Sequence, residues 1–114
     1  ATGAVFCEPG EEVGLMTQIV MVEFAAGLER IDACAAAVEK ITREFVSLQP
    51  AFHGAHVHRE EATGMVWNIM EWDAHQDFIE FRDGNADRIG AALGEFGPKG
   101  RMLDISGIIK PAFT

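Results

Sequence analysis

The sequence predicts an α+β fold, in which helices pack on one face of a four-stranded antiparallel sheet. Three observations support this prediction. Four short stretches are rich in the large apolar and β-branched residues that suit strands. A longer stretch after the first of them repeats its apolar residues at three- and four-residue spacing, as a helix with one buried face does. The predicted elements follow one another in the order β-α-β-β-α-α-β.

The size and charge of the chain limit what it can be. Its 114 residues are enough for one domain with a core of its own. The net charge of −9 argues against nucleic acid and anionic membrane surfaces as partners, because both bind basic faces. The sequence has no apolar run of membrane-spanning length. Two cysteines are too few for a disulfide framework, so we expect a cytoplasmic protein.

The chain opens with a segment that shows no periodic pattern. Residues 1–15 are rich in Gly, Glu and Pro, and we expect an extended N-terminal arm there, followed by a single domain over residues 16–114. Residues 17–24 are predicted to form the first strand and residues 29–48 the long helix. Cys34 lies on the apolar face of that helix, so we expect it in the core.

The second half of the chain predicts a hairpin, two helices and a last strand. Residues 54–60 and 65–72 are strand-like, and a short turn-forming stretch separates them, which is typical of a hairpin. Helices are predicted over residues 74–82 and 86–96. The apolar residues near the end of the chain predict a final strand over residues 102–109.

The strand predicted over residues 65–72 carries two polar groups that are unusual in an apolar core. Alternation places even-numbered and odd-numbered side chains on opposite faces: Asn68, Met70 and Trp72 against Trp67, Ile69 and Glu71. The carboxamide of Asn68 and the indole of Trp72 are therefore candidate site groups. The alternative is a core tryptophan beside an asparagine whose amide is satisfied by backbone. Alternation does not say which face meets the helices. Asp73 is expected to cap the next helix, with Gln76 as its capping-box partner.

This order of elements predicts a ferredoxin-like topology, two β-α-β halves joined by a hairpin. The first and third strands are apolar on both faces, yet the helices cover only one face. Each large apolar side chain left in water would cost about 1.5–3 kcal/mol. A second copy of the same sheet would cover the other face by twofold symmetry, so we predict a homodimer.

Three segments carry a resemblance to a known family: residues 48–56 (LQPAFHGAH), residues 68–72 (NIMEW) and residues 76–78 (QDF). Together with the apolar first strand and its long helix, they resemble the antibiotic biosynthesis monooxygenase domain, a dimeric α+β barrel. The family commonly has Pro-Gly-Phe where this chain has Pro-Ala-Phe from Pro50, and a tryptophan before the short helix with an aromatic residue six positions later. The resemblance covers roughly residues 18–109.

The resemblance implies a monooxygenase that works without a cofactor. Anthrone and related polyketide oxygenases of the family use an asparagine and a tryptophan four residues apart on this strand, which Asn68 and Trp72 match. Such enzymes use molecular oxygen to convert an electron-rich phenol or anthrone to a quinone. In that role Asn68 would hydrogen-bond the substrate oxygen where negative charge develops, and Trp72 would donate to the same oxygen or to a peroxide. Phe78 stands where some of these enzymes have a tyrosine.

Other residues complete the predicted site. His56 and His58 share one strand face, and His58 is expected to be catalytic as a general base or pocket donor. Their spacing can bind a metal, but no third ligand is evident and no metal is predicted. The predicted substrate-binding residues are His56, Met70, Phe78, Arg82 and Phe45. The alternatives are a solvated histidine pair, methionines that only fill a core, and a surface ion pair for Arg82.

Two other functions remain open on the same fold. One is a non-catalytic dimeric barrel that binds a small ligand, and the other is a polyketide cyclase. Haem degradation is not expected, because the haem-degrading members carry an asparagine on the first strand and a histidine well inside the following helix. The first strand here has no asparagine, and His75 stands at the start of its helix.

Overall fold

The computed structural model describes residues 17–112, and the elements within that range follow the predicted order. The predicted N-terminal arm over residues 1–15 lies outside the described residues. The elements are β1 (Gln18–Ala25), α1 (Ile31–Glu44), β2 (Phe52–Glu60), β3 (Met65–Trp72), α2 (His75–Gly84), α3 (Ala86–Leu93) and β4 (Lys99–Leu103). Short 3₁₀ turns follow α1 and α3. No helix in this part of the chain is long and apolar enough to cross a membrane.

The strands form one antiparallel sheet in the order β2-β3-β1-β4. β1 lies inside the sheet and pairs with β3 along its whole length, from Gln18 opposite Trp72 to Ala25 opposite Met65. β2 and β3 form the predicted hairpin, with a register shift near the start of β2. The α+β class and the four-stranded antiparallel sheet are thus confirmed.

Burial alternates strictly along β3, which shows that the helices cover one face of the sheet. Its even-numbered residues, Asn68 and Trp72 among them, are buried, and its odd-numbered residues are half-buried. β1 shows the same two faces less strictly: Val20 and Phe24 are buried, whereas Val22 between them lines a cavity and is half-buried. The structure therefore places Asn68, Met70 and Trp72 together on the helix-covered face.

The core lies between this face and the helices and is divided into two clusters. One joins Phe24 and Val66 of the sheet to the buried side of α1, and the other surrounds Trp72. Cys34 belongs to the first cluster and is fully buried, as expected. Burial raises the pKa of its thiol, and the nearby Arg30 guanidinium partly opposes that shift.

The last strand begins and ends earlier than predicted. β4 is Lys99–Leu103 rather than residues 102–109. Its pairing with β1 runs from Lys99 opposite Glu23 to Leu103 opposite Ile19, so the chain beyond Leu103 passes the end of β1. The apolar residues that suggested a longer strand therefore have no further length of β1 to pair with.

Helix ends also differ from the prediction, and two of them bear on named residues. α1 ends at Glu44, and a 3₁₀ turn continues it to Leu48, which is exposed. Asp73 does not cap α2, which begins at His75 with Ala74 in the capping position. The Asp73 carboxylate instead pairs with the His53 ring, and its backbone N–H donates to the Ala51 carbonyl oxygen at 2.8 Å. These contacts draw Asp73 toward β2 and away from the helix.

The loop after β1 lies directly against the β2–β3 hairpin. The Gly27 N–H donates to the Gly64 carbonyl oxygen at 3.0 Å, and both residues have positive φ, 88° and 77°. A Cβ atom on Gly64 would lie 2.5 Å from the Gly27 carbonyl carbon, whereas a Cβ on Gly27 would have no atom within 4 Å. Position 64 therefore requires glycine for space as well as for conformation.

Candidate functional site

A cavity of about 350 Å³ lies between the covered face of the sheet and the helices. Pockets for small ligands measure roughly 300–1,000 Å³, so its size suits one small molecule. Its walls come from β1, β3, all three helices and the loop that leads into β4. Most wall residues are apolar, and the polar exceptions are Thr42, Asn68 and Arg82. This is the arrangement typical of a ligand pocket with a few orienting groups.

Asn68 is the polar group held deepest in the wall. Its side chain is 5% exposed, and its Nδ2 donates to the Thr42 Oγ1 at 3.1 Å. Its Oδ1 is buried and accepts no hydrogen bond. An unsatisfied buried acceptor costs about 1–3 kcal/mol, so a native fold retains one where something else compensates. The amide is thus held in place by α1, while its buried oxygen has no hydrogen-bond partner.

Trp72 lies behind the cavity wall on the same face of β3. It is 1% exposed, and its Nε1 also has no hydrogen-bond partner. Phe78 and Phe81, both wall residues, pack against its indole with ring centroids 5.7 Å away. At a strand rise of about 3.3 Å per residue, the Cα atoms of Asn68 and Trp72 are about 13 Å apart. Trp72 is not among the wall residues, so a ligand in the cavity would contact Asn68 and would be separated from Trp72 by Phe78 and Phe81.

The predicted substrate-binding residues divide between the wall and positions behind it. Met70, Phe78 and Arg82 line the cavity. Arg82 has a side chain that is 46% exposed, and its Nε donates to the Asp83 carboxylate at 3.0 Å. Its guanidinium carbon is 5.9 Å from the Phe78 ring centroid, so the charge lies at the rim. Phe45 contacts Phe81 at 5.3 Å between centroids and supports the wall from behind.

The two histidines predicted to join this site lie on the opposite face of the sheet. His56 pairs with Ile69 and His58 with Trp67, and paired residues of antiparallel strands point to the same side. The two rings contact each other edge to face at 5.9 Å. Within one chain the sheet therefore separates His56 and His58 from Asn68. The prediction grouped them because the register of β2 against β3 was unknown.

Sequence reasoning missed the role of Thr42. Thr42 lies on α1 among the apolar residues that face the sheet, and its hydroxyl oxygen accepts the hydrogen bond that holds Asn68. A hydroxyl among apolar residues on a buried helix face was the available signal. Within residues 17–112, no group of three or more His, Cys, Asp or Glu side chains is arranged to hold a metal ion.

The fold is shared with several solved structures, although no family model and no curated protein matches the sequence. The monooxygenase ActVA-Orf6 of Streptomyces coelicolor, solved with the ligand nanaomycin D, is 22% identical with a TM-score of 0.68, over 87% of this chain and 96% of that one. A candidate antibiotic biosynthesis monooxygenase of Bordetella bronchiseptica is 16% identical with a TM-score of 0.66, over 80% of this chain and 98% of that one.

A third similar structure shows that the fold alone does not fix an activity. A Nitrosomonas europaea protein of unknown function is 12% identical with a TM-score of 0.66, over 87% of this chain and 99% of that one. At these identities, function has to be argued from the site rather than from the fold. The chain thus has the ferredoxin-like α+β fold of the antibiotic biosynthesis monooxygenases.

Proposed function

We propose that this protein is a cofactor-independent monooxygenase that oxidises a phenolic, anthrone or polyketide-like aromatic substrate to a quinone. The observation that carries the proposal is the apolar cavity with the buried, unpartnered Asn68 oxygen in its wall. Apolar walls suit fused aromatic rings, and one polar group among them orients a ring hydroxyl. The similar structures with monooxygenase descriptions support the same reading.

The charge of Arg82 suits the ionisation that such a reaction needs. Arg82 is the one ionisable residue in the cavity wall within residues 17–112. A guanidinium beside a phenol or enol favours the anion and lowers the pKa of that substrate. The substrate proton then leaves to water at the rim, and the anion remains under the cation. His56 and His58, on the other face, take no part in this step.

The reaction balances with molecular oxygen as the sole oxidant. An anthrone anion passes one electron to O2, and the resulting radical and superoxide combine into a C–O–O bond. Cleavage of the O–O bond, with loss of the remaining hydrogen on that carbon, leaves a carbonyl and releases water. One oxygen atom enters the quinone, and the other leaves as water. The protein's contribution is to bind, orient and ionise the substrate.

The open face of the sheet supports a homodimer as the functional unit. Met21, Trp67 and Ile69 lie on that face and are half-buried in the single chain. We propose that a second copy covers them, because each large apolar side chain gains about 1.5–3 kcal/mol on burial. His56 and His58 would then lie at the interface.

Light scattering at micromolar concentration should show a dimer, and Trp67→Lys should yield monomers. A monomeric wild-type protein would contradict the proposal.

The decisive test is oxygen uptake by the metal-free protein with a panel of anthrones and hydroquinones. Uptake above the autoxidation rate should occur with wild-type protein and fall strongly in Asn68→Ala. Glu39→Ala, an exposed change on α1, is the matched control and should match wild type. Tight binding without oxygen uptake would favour the ligand-binding barrel. Release of water from a linear polyketide analogue without oxygen uptake would favour the cyclase.

A further inference from the structure

The hydrogen bond between Thr42 and Asn68 engages one end of the Asn68 amide and leaves the other end without a partner. The Nδ2 is engaged with the Thr42 Oγ1 at 3.1 Å, and the Oδ1 is buried without a partner. Thr42 and Asn68 come from α1 and β3, which pack against each other across the core, and both line the cavity. The contact joins two elements whose relative position is fixed by packing.

We propose that Thr42 is a positioning residue that makes the pocket selective for ligands with a hydroxyl donor. This inference rests on the proposed function and deepens it, because it states what the substrate must present at Asn68. An aryl hydroxyl donates to the Oδ1 and removes the unsatisfied acceptor. A ketone, ether or phenolate oxygen in that place would put two acceptors face to face, unless the amide turned over and the Thr42 hydroxyl donated to its Oδ1 instead.

The surroundings of the amide make this selection strong. Asn68 is 5% exposed, so water reaches its oxygen poorly and a ligand that leaves it unpaired gains no compensation. Met70 and Phe81, two other wall residues, have no side-chain hydrogen-bond donor to offer. Arg82 has donors, but its guanidinium lies at the rim beside Asp83. The bound hydroxyl therefore stays protonated at Asn68, and ionisation of the substrate takes place at another oxygen, nearer Arg82.

Within residues 17–112, the Thr42 hydroxyl is the one hydrogen-bond partner of the Asn68 amide. Without the Oγ1, the Nδ2 would be buried without an acceptor. The amide would then turn so that its N–H groups reach the cavity, where a ligand oxygen can accept from them. Thr42→Val keeps the shape of the side chain and removes the acceptor. Thr42→Ser keeps the acceptor and removes a methyl group, so the two variants separate hydrogen bonding from packing.

The experiment measures dissociation constants for three small probes by titration followed by NMR. 1-Naphthol has a hydroxyl donor, 1-methylnaphthalene has nearly the same shape without one, and 1-tetralone has only an acceptor. Wild-type protein should bind 1-naphthol at least about 10-fold more tightly than either of the others. The more apolar 1-methylnaphthalene would win if burial alone decided. The Asn68 side-chain carbonyl carbon should also shift on binding 1-naphthol.

The variants should change the preference rather than simply weaken binding. Thr42→Ser should keep the wild-type order. Thr42→Val should lose most of the preference for 1-naphthol. The ratio of its affinity for 1-tetralone to its affinity for 1-naphthol should be about 10-fold higher than in wild type. Asn68→Leu should bind 1-methylnaphthalene best. Thermal melts establish that each variant is folded, and the wild-type carbon shift gives a result even if Thr42→Val does not fold.

Three results would overturn the inference: equal affinity of wild type for the three probes, binding of none of them, or an unchanged order in folded Thr42→Val. These results are separate from the fate of the proposed function. Oxygen uptake without hydroxyl preference would overturn the role of Thr42 alone. Hydroxyl preference without oxygen uptake would retain that role and overturn the monooxygenase.

Discussion

The two faces of one sheet differ in how they are completed. On the covered face, the chain's own helices bury Val20, Phe24, Val66, Asn68, Met70 and Trp72. On the other face, alternate residues of the same strands remain half-buried in the single chain. The covered face leaves a cavity and two unpaired polar atoms, whereas the open face leaves apolar surface. We infer from this difference that β1 and β3 supply two surfaces, one that suits a small ligand and one that suits a second protein chain.

Substitutions on the two faces should differ most in how much they lower the free energy of unfolding. Phe24→Ala removes a ring from the covered face, where the residue is 1% exposed, and should lower the free energy of unfolding by about 3–5 kcal/mol. Met21→Ala on the open face should cost less, and its cost should shrink as the protein is diluted toward the monomer. Urea unfolding at two protein concentrations measures both. Equal losses that do not depend on concentration would mean that the open face stays uncovered.

Substitution of a loop glycine should lower stability without altering either face of the sheet. Gly64→Ala combines a positive φ with a clash against Gly27 and should cost about 2–5 kcal/mol. Gly27→Ala has the same kind of φ without the clash and should cost about 1–2 kcal/mol. Thermal unfolding compares the two. At temperatures where both variants are folded, their order of affinity for 1-naphthol, 1-methylnaphthalene and 1-tetralone and their dimerisation should match wild type. An altered order of affinity would show that the loops reach the cavity.

The two unpaired polar atoms should matter to turnover and not to assembly. Asn68→Ala should lower oxygen uptake by about 10–1,000-fold, the scale of losing one oriented polar contact. Trp72→Phe should lower it less, because Trp72 lies behind the cavity wall. Ile69→Val, between them on the open face, should leave uptake within about twofold, because a small apolar change there does not reach the cavity. Light scattering should show unchanged dimers in all three. Wild-type rates in Asn68→Ala and Trp72→Phe would rule out both residues as site groups.

The reactivity of the Cys34 thiol tests how well the covered face excludes solvent, and its effect on stability should be small. Burial raises the pKa of Cys34, and only the thiolate reacts with iodoacetamide, so alkylation of the folded protein at pH 8 should be far slower than after unfolding in urea. Because the folded state favours the protonated thiol, its contribution to stability is present below the ordinary thiol pKa of 9.0 and is lost as the pH rises through the raised value. A Cys7→Ser background isolates Cys34. Equal labelling rates for folded and unfolded protein would show that the core opens readily.

The sequence could predict most of the fold because its strongest signals are local. Alternation over residues 65–72 matched β3 at both ends, and the three- and four-residue spacing located α1. β4 was misplaced because its first residues, Lys99 to Arg101, are exposed and carry no apolar pattern. Its position depends on pairing with β1, which is a contact between distant parts of the chain.

The candidate site was only partly predictable, for the same reason. Alternation grouped Asn68 with Trp72 correctly, since both lie on one strand. It could not relate β3 to β2, so His56 and His58 were assigned to the wrong side of the sheet relative to Asn68. It could not pair Thr42 with Asn68, because a bond between a helix and a strand has no spacing in the sequence. Relations between residues of one element could thus be predicted from the sequence, and contacts between different elements could not.

The attachment of α2 to the sheet determines where the cavity can widen. The His75 backbone N–H donates to the Gln18 side chain at 2.7 Å, and its Nε2 lies 3.1 Å and 2.8 Å from the carbonyl oxygens of Ile19 and Leu103. Two acceptors require that this nitrogen carry the proton. The start of α2 is thus tied to β1 and β4, whereas Arg82 lies near its other end. We expect a ligand to enter by displacement of that far end, with amide hydrogen exchange faster at Gly84 than at Ile79, since both of these amides lie beyond the unbonded first turn of α2.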